Sequence, residues 1–81
     1  GPAMSQHDKN AAPPIVTSVD FAHEVRFGPT ASKQWRHDDP VKGYGHTAAT
    51  TPQGIRLTPS DARLPIRVVP WAHVLSYTVA Q

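Results

Sequence analysis

The sequence predicts a mainly β fold: a small antiparallel meander of about five strands that forms a barrel or a sandwich. Three observations predict it. Apolar residues alternate with polar ones over residues 15–27, which is the period of a strand with one buried face. The last third of the chain places its β-branched and aromatic residues in strand-length runs separated by prolines. Nine prolines in 81 residues also argue against any long helix.

The chain divides into a polar N-terminal part and one folded domain. Residues 1–4 have the form of a scar left by a cleaved expression tag, and residues 5–14 are polar or small and end in a proline pair. We therefore expect a disordered arm over residues 5–14 and a single small β domain over residues 15–81. Since a domain of this size buries only a small core, self-association or a partner would stabilise it.

The first strand is expected over residues 15–27, with its odd-numbered residues on the buried face from Ile15 to Phe27 and with room for one bulge. Gly28 and Pro29 end this strand. Residues 30–41 are polar and charged, which is typical of a long loop with at most one helical turn near its start.

Four shorter strands are expected after that loop, at residues 43–50, 55–58, 64–69 and 73–79. Turns at residues 51–54 and 59–63 separate them, and Pro70 marks a strand end. A short amphipathic helix over residues 71–77 is the alternative for the last strand, because Trp71, Val74 and Leu75 also fall at helical spacing. The β-branched residues of this segment favour the strand.

Composition narrows the classes of function. Eight Lys and Arg against six Asp and Glu give a net charge of +2, which permits nucleic-acid binding without indicating it. No Cys is present, and no apolar run approaches the roughly 18 residues that span a bilayer. We therefore expect a cytoplasmic protein without a membrane partner.

Signatures of catalysis and of metal binding are lacking in the sequence. There is no nucleophile elbow, no phosphate-binding glycine loop and no carboxylate pair at catalytic spacing. Neither helical pairs nor compact His-x-His spacing occurs among the histidines, which are His7, His23, His37, His46 and His73. We expect a protein that is not an enzyme and that holds no metal or cofactor.

One short stretch resembles a nucleic-acid-binding motif. Residues 41–45 read Val-Lys-Gly-Tyr-Gly, similar to the first half of the ribonucleoprotein motif of cold-shock domains and RNA-recognition motifs. The resemblance implies that Tyr44 stacks on a base and that Lys42 contacts the phosphate backbone. The following residues depart from the motif, with His46 and Ala49 where that family has aromatic residues. A glycine-flanked tyrosine that enters a strand is the structural alternative.

Arginines supply the other candidate binding residues. If the strands at 55–58 and 64–69 pair through the turn between them, Arg56 and Arg67 lie near each other on one exposed face. Such a face would suit an anion or an acidic partner, with an aromatic anchor beside it. A solvated sheet face is the alternative. The candidate binding residues are Trp35, Arg36, Lys42, Tyr44, Arg56 and Arg67.

A second resemblance covers about a third of the chain. Residues 54–59 read Gly-Ile-Arg-Leu-Thr-Pro, and residues 66–76 read Ile-Arg-Val-Val-Pro-Trp-Ala-His-Val-Leu-Ser. This pattern resembles the C-terminal part of small accessory proteins of tailed bacteriophages, and similar runs occur in bacterial pleckstrin-like domains. The resemblance implies a phage protein that acts in the host cytoplasm by self-assembly or by binding a host or phage protein. It implies no catalytic or binding residue.

Two functions follow as hypotheses. The first is a non-enzymatic β-rich interaction protein, homo-oligomeric, that uses an exposed strand edge or the loop at residues 28–42 to bind itself or another protein. The second is a single-stranded nucleic-acid-binding protein that uses Lys42, Tyr44, Trp35 and the surface arginines.

Overall fold

The computed structural model describes residues 15–39, 41 and 43–80. In this part of the chain six antiparallel strands form two small sheets, so that the prediction of a mainly β fold is confirmed. A single 3₁₀ turn, Trp71–His73, precedes the last strand. The strands are β1 (Ile15–Phe27), β2 (Thr30–Arg36), β3 (His46–Thr50), β4 (Gly54–Pro59), β5 (Arg67–Pro70) and β6 (Val74–Ala80). The expectations for residues 1–14 lie outside the described residues.

Strand order shows where the chain leaves a simple meander. The first sheet has the order β2-β1-β6, and the second has the order β3-β4-β5. Only the second sheet is a run of consecutive neighbours. β6 returns from the other end of the chain to pair with β1, and the described strands do not close into a barrel.

Both sheets contribute to one hydrophobic core, as in a small sandwich. Large side chains of the first sheet supply most of it, and the second sheet adds three aliphatic residues. The buried residues are Val16, Val19, Phe21, Phe27, Trp35, Ile55, Leu57 and Val69. The second sheet therefore covers the inner face of β1 and of the end of β2.

A bulge near the start of β1 reverses the predicted alternation there. The pairing with β6 shifts between Val16 and Ser18, where Thr17 is the extra residue. Val16 therefore faces the core, whereas Ile15 is 55% exposed although the alternation placed it on the buried face. From Val19 onward the odd positions follow the prediction in part: Val19, Phe21 and Phe27 are buried, Val25 is half-buried and His23 is exposed.

The loop predicted at residues 30–41 is wrong for residues 30–36, because these form β2. β2 is an edge strand with β1 as its neighbour, so its polar side chains stay in contact with water while its backbone completes the ladder. Trp35 is its one buried side chain. A strand that buries one residue does not produce the alternating pattern from which strands are predicted.

The remaining strands occur where predicted, with shifted ends. β3 begins at His46 rather than at Gly43, because Tyr44 and Gly45 have φ angles of 53° and 68° that turn the chain. β5 begins at Arg67, after a turn in which the Leu64 N–H donates to the Asp61 carbonyl at 3.0 Å. The helix proposed as an alternative over residues 71–77 is wrong beyond its first turn, since β6 starts at Val74.

Candidate interaction surfaces

The outer edge of β6, residues 74–80, is the most exposed apolar part of the described strands. Its sequence is Val-Leu-Ser-Tyr-Thr-Val-Ala, without charge and without proline. β1 pairs with one side of this strand, and the other side has no strand partner among the described residues. Every residue of β6 is exposed except the half-buried Val74.

Three large side chains on this strand face water. Leu75 is 71% exposed, Tyr77 43% and Val79 41%, and we call these three residues the β6 patch. Register places Tyr77 opposite Val19 and Val79 opposite Val16, both of which are core residues. Paired residues share a face of the sheet. The inner face of the first sheet therefore continues outward beyond the part that the second sheet covers.

Trp71 borders the β6 patch. Its ring lies 5.4 Å from that of Tyr77, and its indole N–H donates to the Thr51 carbonyl at 3.0 Å. Half-buried and packed against the core, it ties the start of β6 to the turn before β4. The patch therefore rests on a fixed aromatic neighbour.

Hydroxyl groups hold the opposite face of β6 to β1. The Thr78 hydroxyl lies 2.7 Å from the Thr17 hydroxyl and 2.6 Å from the Ser18 hydroxyl. Ser76 donates to the Asp20 carboxylate at 3.2 Å. Since this face is polar and the patch is apolar, β6 presents two chemically distinct faces.

A second surface feature is a cleft between β1 and β5. It has a volume of about 540 Å³. Its lining includes charged, imidazole and apolar side chains, among them His23, Glu24, Arg26, Arg67, Val69 and His73. The rings of His23 and His73 meet edge to face with 5.0 Å between their centres. This cleft places two arginines and two imidazoles around one carboxylate.

The prediction that Trp35 is an exposed aromatic anchor is wrong. Trp35 is fully buried, and its indole N–H donates to the Gly43 carbonyl at 3.1 Å. Tyr44 is half-buried and stacks on Phe27 with 4.8 Å between ring centres. One face of Tyr44 is thereby occupied by the core, and Lys42 lies outside the described residues.

The arginines do not form the predicted surface. Arg56 pairs across the sheet with Val68, whereas Arg67 pairs with the buried Leu57. The two arginines therefore lie on opposite faces, and the prediction of one shared exposed face is wrong. Arg36 approaches the Asp20 carboxylate at 3.6 Å, and that carboxylate oxygen is buried without a hydrogen bond.

Sequence reasoning missed the β6 patch and the pairing of His23 with His73. The sequence did contain a signal for the patch, the uncharged run of seven residues from Val74 to Ala80. Such a run at the edge of a sheet indicates an interaction site. No sequence signal could have paired the histidines, because they lie on segments far apart in the chain that only the fold brings together.

Neither a metal centre nor a membrane span is found in the part of the chain that the structure describes. No group of three or more His, Asp or Glu side chains there could hold a metal ion. No helix among these residues is long and apolar enough to cross a membrane.

Hydrogen bonds from Arg63 hold the pKa of Asp61 below its usual range, and Asp61 in turn raises the pKa of Arg63.

Comparisons with protein families, with characterised proteins and with solved structures find no match to this chain. The resemblance to phage accessory proteins and to pleckstrin-like domains therefore stays a prediction.

Proposed function

We propose that this protein is a non-enzymatic interaction module that self-assembles by pairing the β6 edges of two copies around a two-fold axis. The exposed, uncharged edge of β6 is the observation that carries the proposal. Such pairing would join two three-stranded sheets into one continuous six-stranded sheet.

An unprotected edge is unusual unless something covers it. Edge strands in proteins that remain monomeric generally carry charged side chains, prolines or bulges that prevent pairing with other chains. β6 has no charge and no proline. It carries one bulge near its start, at Leu75, which lies between Ser76 opposite Asp20 and Val74 opposite Phe21, and it has no extra residue after Ser76. Its outer side therefore offers backbone donors and acceptors together with apolar side chains.

The sequence of β6 is complementary to itself. In an antiparallel pair centred on Tyr77, Leu75 of one copy would lie opposite Val79 of the other. Val74 would lie opposite Ala80, and Ser76 opposite Thr78, so that apolar residues meet apolar ones and hydroxyls meet hydroxyls. A two-fold interface requires a surface that is complementary to itself, and this strand satisfies that requirement.

The β6 patch supplies the burial that pairing requires. Leu75, Tyr77 and Val79 are large, and each is at least 41% exposed. A second copy would cover them and remove apolar surface from water, which is the main driving force for association. A small core makes this gain important for the stability of each copy.

Mass in solution tests the proposal. We expect analytical ultracentrifugation across micromolar concentrations to show a dimer that dissociates on dilution. Tyr77→Lys should yield a monomer, because it would place two like charges at the two-fold axis. Gln34→Lys is the matched control: it adds the same charge at an exposed position on β2, the opposite edge of the same sheet, and should leave the dimer intact.

Circular dichroism would confirm that both variants keep their strands. A wild-type protein that stays monomeric at all concentrations would overturn self-assembly. So would a folded Tyr77→Lys variant that is still a dimer.

Single-stranded nucleic-acid binding loses its aromatic contacts in this structure. Trp35 is in the core, and one face of Tyr44 stacks on Phe27, so that Trp35 presents no ring to a base and Tyr44 has only its other face. We therefore do not propose it as a second function.

A further inference from the structure

We propose that the cleft between β1 and β5 binds an extended acidic peptide segment, which would lie between these two strands as an added strand. The proposal concerns a different surface from the β6 patch and does not rest on self-assembly.

One wall of the cleft is a stretch of β1 without strand partners. The pairing of β1 with β2 passes from Asp20 opposite Gln34 directly to Val25 opposite Ser32. On its other side, β1 pairs with β6 only as far as Phe21. Residues 22–24 therefore have no partner in the register of either neighbouring strand.

The other wall is the outer edge of β5. This strand pairs with β4 on one side and has no strand neighbour on the other among the described residues. Both walls thus present strand edges across a cleft of about 540 Å³. An extended segment placed there could pair with one edge or both, which is the mode of recognition called β-augmentation.

The positive charge of the cleft favours an acidic segment. Arg26 and Arg67 line the cleft against a single carboxylate, that of Glu24, and the two imidazoles add hydrogen-bond donors. Within the described residues Arg67 has no acidic partner within 4 Å, since the ion pairs found there involve Arg36 and Arg63. A carboxylate on the bound segment would supply the missing partner.

Apolar residues in the lining of the cleft indicate that the bound segment also carries apolar side chains. Val69 is a core residue that reaches the cleft, and Val25 lies in the opposite wall. In an added strand, successive side chains point to opposite sides. A peptide that alternates acidic and apolar residues therefore matches the lining better than a uniformly acidic one.

Isothermal titration calorimetry with three synthetic probes tests the proposal. The first is a capped heptapeptide of alternating Glu and Val, the second has Lys in place of every Glu, and the third is free glutamate. We expect the first to bind with an affinity that weakens as salt is added, and the other two to bind far more weakly. Equal binding of the Lys peptide would exclude charge as the determinant, and equal binding of free glutamate would exclude a strand; either result overturns the proposal.

Two arginine variants locate the binding. Arg67→Ala should weaken binding of the Glu-Val peptide by roughly tenfold or more, which corresponds to the loss of one charge-assisted contact. Arg56→Ala is the matched control, because Arg56 is exposed on the opposite face of the same sheet. Equal losses in the two variants would place the peptide outside the cleft.

A backbone-modified peptide separates strand addition from simple charge attraction. Methylation of alternate amide nitrogens keeps every carboxylate and removes the donors on one edge of the peptide. We expect the peptide methylated on its pairing edge to lose most of its affinity. Unchanged binding after methylation of either edge would overturn the added-strand geometry.

Discussion

The two outer strands of the first sheet differ in how they face water. β2 and β6 are both seven residues long, and both flank β1. β2 carries Lys33 and Arg36 and buries Trp35 completely. β6 carries no charge and buries none of its residues completely.

The difference teaches that two edge strands of one sheet can present different surfaces through their side chains. Both are edge strands, but on β2 the Ser32 hydroxyl donates to the Gln34 carbonyl and accepts from the Gln34 N–H, at 3.0 Å each, so that this part of the β2 backbone is already bonded. Trp35 anchors β2 to the core, and Lys33 and Arg36 are charged side chains of the kind that disfavour pairing with a second chain. β6 is held to β1 by hydroxyl contacts and exposes its apolar side, so that it is suited to pairing with another copy.

The largest expected effect tests the anchor of β2. Trp35→Ala should lower the free energy of unfolding by about 3–5 kcal/mol, because it removes a buried indole and leaves a cavity. A loss of that size is comparable to the whole stability of a domain this small. Trp71→Ala, on the β6 side, should cost less because Trp71 is only half-buried.

Chemical denaturation followed by circular dichroism measures both changes. If Trp35→Ala does not fold, Trp35→Phe serves instead, since it keeps most of the ring and loses the hydrogen bond to Gly43. A larger loss at Trp71 than at Trp35 would contradict the comparison.

The next effect tests whether charge protects the β2 edge. Lys33→Val removes an exposed charge from β2 and should make this edge associate as well. We expect light scattering to detect species larger than a dimer. They should form at concentrations roughly tenfold below those that wild type needs, which corresponds to about 1.4 kcal/mol of association free energy. Lys33→Arg keeps the charge and should behave as wild type. An unchanged Lys33→Val variant would show that β2 is protected by something other than its charge.

A smaller effect tests how β6 is held to β1. Thr78→Val keeps the shape of the side chain and removes the hydroxyl that contacts Thr17 and Ser18. The free energy of unfolding should fall by about 0.5–1 kcal/mol, because the two remaining hydroxyls are exposed and can bond to water. Thermal unfolding at a fixed protein concentration measures this loss. A loss of several kcal/mol would mean that these hydroxyls hold the sheet together more strongly than their exposure allows.

The smallest effect concerns an exposed ion pair in the turn between β4 and β5. The Arg63 guanidinium is 3.0 Å from the Asp61 carboxylate and lowers the pKa of Asp61. Because the folded pKa lies below the unfolded one, any stability from this pair is present above the unfolded pKa and is lost as the pH falls through the folded pKa. Asp61→Asn should leave the Tm at neutral pH unchanged within error, since exposed pairs contribute little.

The Asp61→Asn variant measures the change in Tm on loss of a surface charge that lies on neither β2 nor β6. Melting curves from neutral to strongly acid pH would check it. A clear fall in Tm at neutral pH would mean that the effect of Lys33 cannot be ascribed to its place on the β2 edge.

Local patterns were enough to predict most strands of this protein. Alternation from Val19 to Phe27 and the proline-bounded runs after Gly54 correspond to strands in the structure, because a buried face and a strand end both leave their mark in adjacent residues. The absence of charge in β6 belongs to the same class of local information.

Tertiary structure decided which segments became neighbours. β2 is a strand because Trp35 fits the core and β1 offers a partner, although its own residues do not alternate. Arg56 and Arg67 are on opposite faces because the β4–β5 register differs by one residue from the arrangement that would align them. His23 lies against His73, and the cleft beside β5 is lined by a part of β1 in which pairing with both neighbouring strands is interrupted. Each of these outcomes depends on contacts between residues far apart in the chain, and a local pattern contains no information about them.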